Sequence, residues 1–154
     1  MKANEIDDFD LKILTLLQAN GRLTNQELSD LVGLSASQCS RRRISLEQAH
    51  LILGYHARVA PQAMSRDVLA MVEVRLTSHR PEHWEEFQAL VADVGSIIDA
   101  YKTTGDADYT LKVAVADLDS LNKLMAQITA GNCVAHIKTA VVLERLKENS
   151  VVIF

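Results

Sequence analysis

The stretch Thr24-Asn25-Gln26-Glu27-Leu28-Ser29-Asp30-Leu31-Val32-Gly33-Leu34-Ser35-Ala36-Ser37-Gln38 decides how this chain folds. It holds two helix starts, Thr24-Asn25-Gln26-Glu27 and Ser35-Ala36-Ser37-Gln38. Each is a hydroxyl residue followed three positions on by a carboxylate or amide. The hydroxyl accepts an orphan backbone N–H, and the longer side chain reaches back to the cap's own N–H. Leu28, Leu31 and Val32 give the intervening helix its apolar face, and Gly33 suits the tight turn before Leu34. The second helix carries Arg41, Arg42 and Arg43. A short helix, a turn and a second helix bearing cations form a helix-turn-helix, whose second helix can lie in the major groove of DNA.

Outward from this core, Phe9, Ile13, Leu16 and Leu17 recur at helical spacing, which predicts a first helix from about Asp8 to Ala19, ended by Asn20-Gly21. The third helix is expected to run from Ser35 to about Ala49. The segment Leu51-Ile52-Leu53-Gly54-Tyr55-His56-Ala57-Arg58-Val59 reads as a strand or wing leading to a hinge, and residues 60–66 read as the linker. Residues 1–60 are thus one expected domain and residues 67–154 another.

The second domain contains an internal echo. Trp84, Phe87, Leu90, Val91 and Val94 share their spacing with Leu118, Leu121, Leu124, Met125 and Ile128 at a constant offset of 34 residues. Each set is one face of an amphipathic helix. Pro81 fits the first turn of the former and Asp117 can cap the latter. Period-two stretches flank both: Val72, Val74 and Leu76; Ile97 to Thr104; Tyr109, Leu111, Val113 and Val115; and Ile137 to Leu143. The order β-α-β-β-α-β is the ferredoxin-like unit, an antiparallel sheet covered on one face. The fold class is therefore α+β.

The 154 residues are 48% hydrophobic and 5% aromatic, enough for packed cores but poor in stacking platforms for single-stranded nucleic acid. Net charge is −4, which alone argues against DNA. Position matters more than the sum. Residues 1–60 are balanced, with seven bases (Lys2, Lys12, Arg22, Arg41, Arg42, Arg43, Arg58) against seven acids, so the later part carries the whole excess. The early acids mostly precede residue 11, whereas the arginines share one helix, so a local basic face is compatible with an acidic chain. Cys39 and Cys133 have no CxxC spacing, and the five histidines have no metal-ligand spacing; we expect a reduced compartment, no metal and no cofactor. No apolar run is long enough for a membrane span, and no signal-type segment follows Met1, so the expected location is cytoplasmic, without a membrane partner.

The order of these elements resembles the leucine-responsive/asparagine-responsive (Lrp/AsnC) regulators over nearly the whole chain. Asp7, Asp10, Ile13 and Leu17 are similar to that family's opening helix, and Gly21-Arg22 and Asn25-Gln26-Glu27-Leu28 to its second block. Leu34-Ser35, Cys39, Arg41-Arg42 and Leu46-Glu47 resemble its recognition helix, and Ile52 and Gly54-Tyr55 its exit strand. Thr104-Gly105-Asp106, Asp108-Tyr109 and Leu111-Lys112-Val113 resemble its ligand-domain signature. The resemblance implies a winged helix-turn-helix DNA-binding head joined to a RAM (regulation of amino acid metabolism) domain, assembled as dimers or as four dimers in a disc, with a free amino acid bound between dimers. Three features depart from the family pattern: Arg43 stands where an apolar residue is usual, with Ile44 one position late; His50 stands where Gly is usual; and the tail Asn149-Ser150-Val151-Val152-Ile153-Phe154 is unusually apolar, as if to pack on a partner subunit.

The candidate DNA contacts are Ser35, Ser37, Gln38, Ser40, Arg41 and Arg42. Gln38 has the chemistry to pair with adenine, and Arg41 or Arg42 with guanine. Arg42 could instead brace the head from within, and Arg43, four past Cys39, could snorkel or form an ion pair. A solvated face is the ordinary fate of a charge run, but the capped setting favours DNA. Cys39 reads as a small core hydrophobe, and Cys133 as structural. Trp84 and Phe87 read as core.

The candidate effector residues are Thr104, Gly105, Asp106 and Asp108, with His136 and Thr139 near the last strand contributed from a neighbouring subunit. Gly and Asp also serve plain hairpin turns. Exposed N–H groups there could equally hold an α-carboxylate, and the aspartates an α-ammonium. Expected partners are double-stranded DNA, a small amino acid and further copies of the chain. Two rivals stand beside this reading. One is a regulator without an effector, acting by architecture alone. The other is an enzyme like the sirohaem decarboxylase subunits, which share the two-domain plan, although no His and Arg cluster marks a catalytic pocket here.

Overall fold

The computed structural model describes residues 6–147. The apolar tail therefore lies outside the described residues. The chain divides into two compact units, the first reaching to Arg58 and the second spanning Val59–Leu146.

The first unit is three helices, α1 (Asp8–Ala19), α2 (Asn25–Val32) and α3 (Ala36–Gln48). Both expected capping boxes are formed, at Thr24 with Glu27 and at Ser35 with Gln38. A third, Asp7 with Asp10, starts α1. Gly33 ends α2 in the left-handed region at φ 84°, which a residue without Cβ adopts at no steric cost. Ile13, Leu28, Cys39 and Leu46 are fully buried where the three helices meet. Replacing such a leucine by alanine typically costs about 2–5 kcal/mol.

His50 takes φ 54°, the conformation that glycine is usually supplied for. The amides of Leu51 and Ile52 then close on the carbonyl of Leu46 at 2.9 and 3.2 Å, so the helix end is satisfied despite the Cβ. The expected strand or wing at 51–59 does not form: residues 53–60 have no ladder partner among the described residues. Within the chain, this segment is held to the head through Tyr55, whose hydroxyl accepts from Arg43 and donates to Glu47. A single 3-10 turn, Pro61–Met64, follows.

The second unit is a four-stranded antiparallel sheet ordered β2-β3-β1-β4, with β1 (Val68–Leu76), β2 (Ile97–Lys102), β3 (Tyr109–Val115) and β4 (Val134–Val141). Helices α4 (Pro81–Asp93) and α5 (Leu118–Thr129) share one core with the sheet. Val72, Val74, Leu111 and Val113 alternate onto that face and meet Phe87, Leu124 and Ile128. Pro81 opens α4 without a side-chain cap, and Asp117 caps α5 through the Ser120 amide at 2.7 Å. Trp84 corrects the reading of it as core: it is 39% exposed, while Phe87 three positions on is buried. Glu73, Arg75, His136 and Lys138 lie on the opposite, exposed face of the sheet.

Candidate nucleic-acid interface and candidate ligand site

One turn of α3 points its three arginines in three different directions. Arg42 turns toward α1. Its Nη1 lies 2.8 Å from both Asp7 Oδ2 and Asp10 Oδ1, and its guanidinium stands 5.5 Å over the Phe9 ring. Asp10 is buried, so this cation compensates a carboxylate that has left water. The Asp10 amide, with Arg42, holds the Asp7 carboxyl below its usual range. Arg43 turns to the other flank. It donates to Tyr55 Oη at 2.8 Å and to the Leu23 carbonyl at 3.0 Å, and stacks 4.6 Å from the Tyr55 ring centroid. Tyr55 donates to Glu47 at 2.8 Å, closing a three-residue network that fastens the segment after α3 to the head.

Arg41 alone of the three points outward. It is exposed and has no ion-pair or hydrogen-bond partner among the described residues. Ser37, Ile44 and Gln48 share its face, opposite Cys39 and Leu46. An unpaired guanidinium keeps all five donors for phosphate or a base edge. The sequence reading grouped Arg42 with Arg41 as a DNA contact. The geometry separates them, because Arg42 is already bound within the head.

At the start of α3 the polar groups are bound to one another. Gln38 Oε1 accepts from the Ser35 amide and hydroxyl, each at 3.0 Å, and the Ser35 and Ser37 hydroxyls are 3.1 Å apart. Two-point pairing of Gln38 with adenine needs that oxygen, so it would cost the capping box; the amide nitrogen remains to donate. Ser40 is half-buried on the flank of the helix. Both cysteines are buried, and burial pushes their thiols up, which suits packing rather than reactivity.

In the second unit, residues 103–108 turn from β2 into β3. Gly105 takes φ 109°. Thr104, Gly105 and Asp106 are exposed at the tip. The Asp106 carbonyl accepts from Arg75 Nε at 3.0 Å, and Asp108 Oδ2 from the Leu76 amide at 2.7 Å. The turn shares its side chains between two hollows. One, about 240 Å³ on the open sheet face, is lined by Asp106 with Glu73, Arg75, His136 and Lys138. The other, about 340 Å³, brings Asp108 together with His79, Trp84, Lys102 and Tyr109. His79 Nδ1 is 3.7 Å from Asp108 Oδ1.

Thr139 belongs to neither hollow. It faces Met125 of α5, 3.1 Å from its sulfur, on the helix side of the sheet, because it is three residues from His136 and strand side chains alternate. The sequence reading missed Lys102, Trp84 and His79. The signal for Lys102 was its closeness to the turn; Trp84 was hidden by its place in a regular apolar pattern. Among the described residues no three potential ligands gather for a metal, and no helix is long and apolar enough to cross a membrane.

Residues 6–47 match the AsnC-type helix-turn-helix domain, and residues 69–152 match the Lrp/AsnC ligand binding domain. The chain is 36% identical over 146 residues to the leucine-responsive regulatory protein of Haemophilus influenzae, covering 94% of this chain and 88% of the relative. It is 33% identical to the proline dehydrogenase transcriptional activator of Rhizobium radiobacter, with 97% of both covered. A transcriptional regulator of Neisseria meningitidis, solved as a complex with L-Met, superposes with a TM-score of 0.90 at 31% identity, covering 95% of each chain. These relatives are regulators, and the decarboxylase rival finds no support among them. With a cation-bearing recognition helix in one unit and a ferredoxin-like sheet in the other, the chain belongs to the Lrp/AsnC family of transcriptional regulators.

Proposed function

We propose that α3 enters the major groove of double-stranded DNA, with Arg41 as its principal base contact and Ser37 and the Gln38 amide nitrogen beside it. The observation that carries this is the sorting of the three arginines: two are consumed inside the head, and the third is exposed and unpaired on the outward face. Arg42 serves the same end indirectly, by neutralising carboxylates that would repel phosphate. Two copies would present two such helices to half-sites about 34–36 Å apart, and pairing compensates for the modest affinity of one acidic subunit. Dimers, or four dimers, are the assembly we propose, working in the cytoplasm where the DNA is.

We further propose a free amino acid as the effector, held at the turn of residues 103–108. The hollow beside Asp108 offers an anion, the Lys102 cation and an indole wall, the three things a zwitterion with an apolar side chain needs. The relative solved with L-Met supports this class. Such a ligand acts only through its different affinity for the two states it shifts. Domain bounds of 1–60 and 67–154 belong to the same proposal.

The test has two stages. Duplexes are enriched from a random pool on the whole protein, and all twenty amino acids are then titrated while melting temperature and sedimentation are followed. An enriched sequence and an amino acid that raises the melting temperature support the reading. No enrichment removes the DNA contact, and enrichment with no stabilising amino acid leaves a regulator that acts by architecture alone.

A further inference from the structure

Positions 43 and 44 carry an inference beyond the general DNA contact. Arg43 is turned in and tied to Tyr55, Glu47 and Leu23. Ile44 is turned out and 49% exposed, and it does not belong to the head's core cluster. A single exposed isoleucine is ordinary on a protein surface. This one stands in the outward stripe with Ser37, Arg41 and Gln48, opposite buried Cys39 and Leu46. The residue beside an unpaired arginine, on the helix face meant for base edges, is therefore a branched hydrocarbon.

We propose that Ile44 is a specificity-determining residue, and that its side chain packs against the 5-methyl group of thymine in the major groove. The inference rests on the proposed role of α3. Of the four bases only thymine offers a methyl in that groove. Cytosine has only hydrogen at that ring carbon, and its amino group on the neighbouring carbon would lose water against a hydrocarbon without gaining a partner, so an isoleucine both favours thymine and disfavours cytosine. Three residues of helix advance Ile44 about 4.5 Å beyond Arg41. One base-pair step is about 3.4 Å. The thymine read by Ile44 is thus within one or two steps of the guanine read by Arg41.

The experiment uses the full chain and the duplex enriched from the random pool. Each thymine is replaced in turn by deoxyuridine, which removes the methyl and nothing else, and affinity is read by fluorescence anisotropy. At one thymine in each half-site, next to the guanine, the wild type loses about fourfold, the value of one buried carbon. Ile44→Ala binds the thymine duplex more weakly and is indifferent to deoxyuridine at that position. Its circular dichroism melt stays close to wild type, because Ile44 lies outside the head's core cluster. Equal wild-type affinity for every deoxyuridine duplex overturns the proposal. So does an Ile44→Ala chain that keeps the wild-type sensitivity to deoxyuridine. A pool that yields no enriched sequence overturns the DNA reading itself, an outcome distinct from these.

Discussion

The head and the sheet unit build their candidate sites by opposite means. In the head, each of the three helix starts is fixed by a partner three residues away: Asp7 with Asp10, Thr24 with Glu27, Ser35 with Gln38. In the sheet unit the two hollows are assembled from strands and turns far apart in sequence, so that Asp106 meets His136 and Asp108 meets Trp84 only after the sheet has formed. Local bonding makes a rigid, pre-set presenting helix. Long-range assembly makes a site whose shape depends on the sheet and can respond to what fills it.

The largest effect that could break this contrast is at Arg41. Arg41→Ala should lower affinity for the enriched duplex about 100-fold in a dimer, since a two-point base contact contributes roughly 1–3 kcal/mol in each half-site. Circular dichroism should show an unchanged melt. If Arg42→Ala gives the same pattern, the division of labour between the two arginines is wrong. It should instead unfold the head more easily, by about 2 kcal/mol in urea titration, because Asp10 is left buried without its cation.

The turn offers the parallel test. Asp108→Ala should destabilise the sheet unit by about 1–2 kcal/mol, because the Leu76 amide loses its acceptor, and should weaken the amino acid in calorimetry. Asp106→Ala should leave the melt unchanged, since its carbonyl and not its carboxylate holds Arg75. Ligand affinity untouched in both would move the effector site away from this turn.

Acid separates the helices by the chemistry of their caps. The Asp10 amide holds Asp7 below its ordinary pKa, and the Thr24 amide and hydroxyl do the same for Glu27. A carboxyl whose folded pKa is depressed contributes stability above its unfolded value, and that contribution is lost as pH falls through the folded value. The first turns of α1 and α2 should therefore exchange amide hydrogens faster below the ordinary carboxylate range, relative to their intrinsic rates. The first turn of α3, capped by uncharged Ser35 and Gln38, should keep its protection. Equal loss in all three would mean that the caps do not set local stability. The smallest effect is at His50, where glycine should stabilise the head by about 0.5 kcal/mol by relieving the positive φ.

The same contrast governs how much was legible in the sequence. Helix starts, the turn at Gly33 and the repeated faces of α4 and α5 are local or periodic, and their residues announce them. Which way Arg42 and Arg43 turn was open from spacing alone, since it depends on Asp10 and Tyr55, 32 and 12 residues away. The expected strand or wing over residues 51–59 has no partner within the chain among the described residues, and the β propensity of one segment does not say what it pairs with. Thr139 was grouped with His136 by closeness in sequence, although an odd offset in a strand puts them on opposite faces. Trp84 fits the apolar pattern of α4, and only the packing shows its indole at the edge of a hollow.

The central claim, that the outward face of α3 reads duplex edges through Arg41, is tested most directly by guanine N7 methylation interference on the enriched duplex. Premethylated guanines in two half-sites one helical turn apart should block the wild-type protein and should lose that selective effect with Arg41→Ala. Interference that is absent from the major groove, or identical in the two proteins, would contradict it.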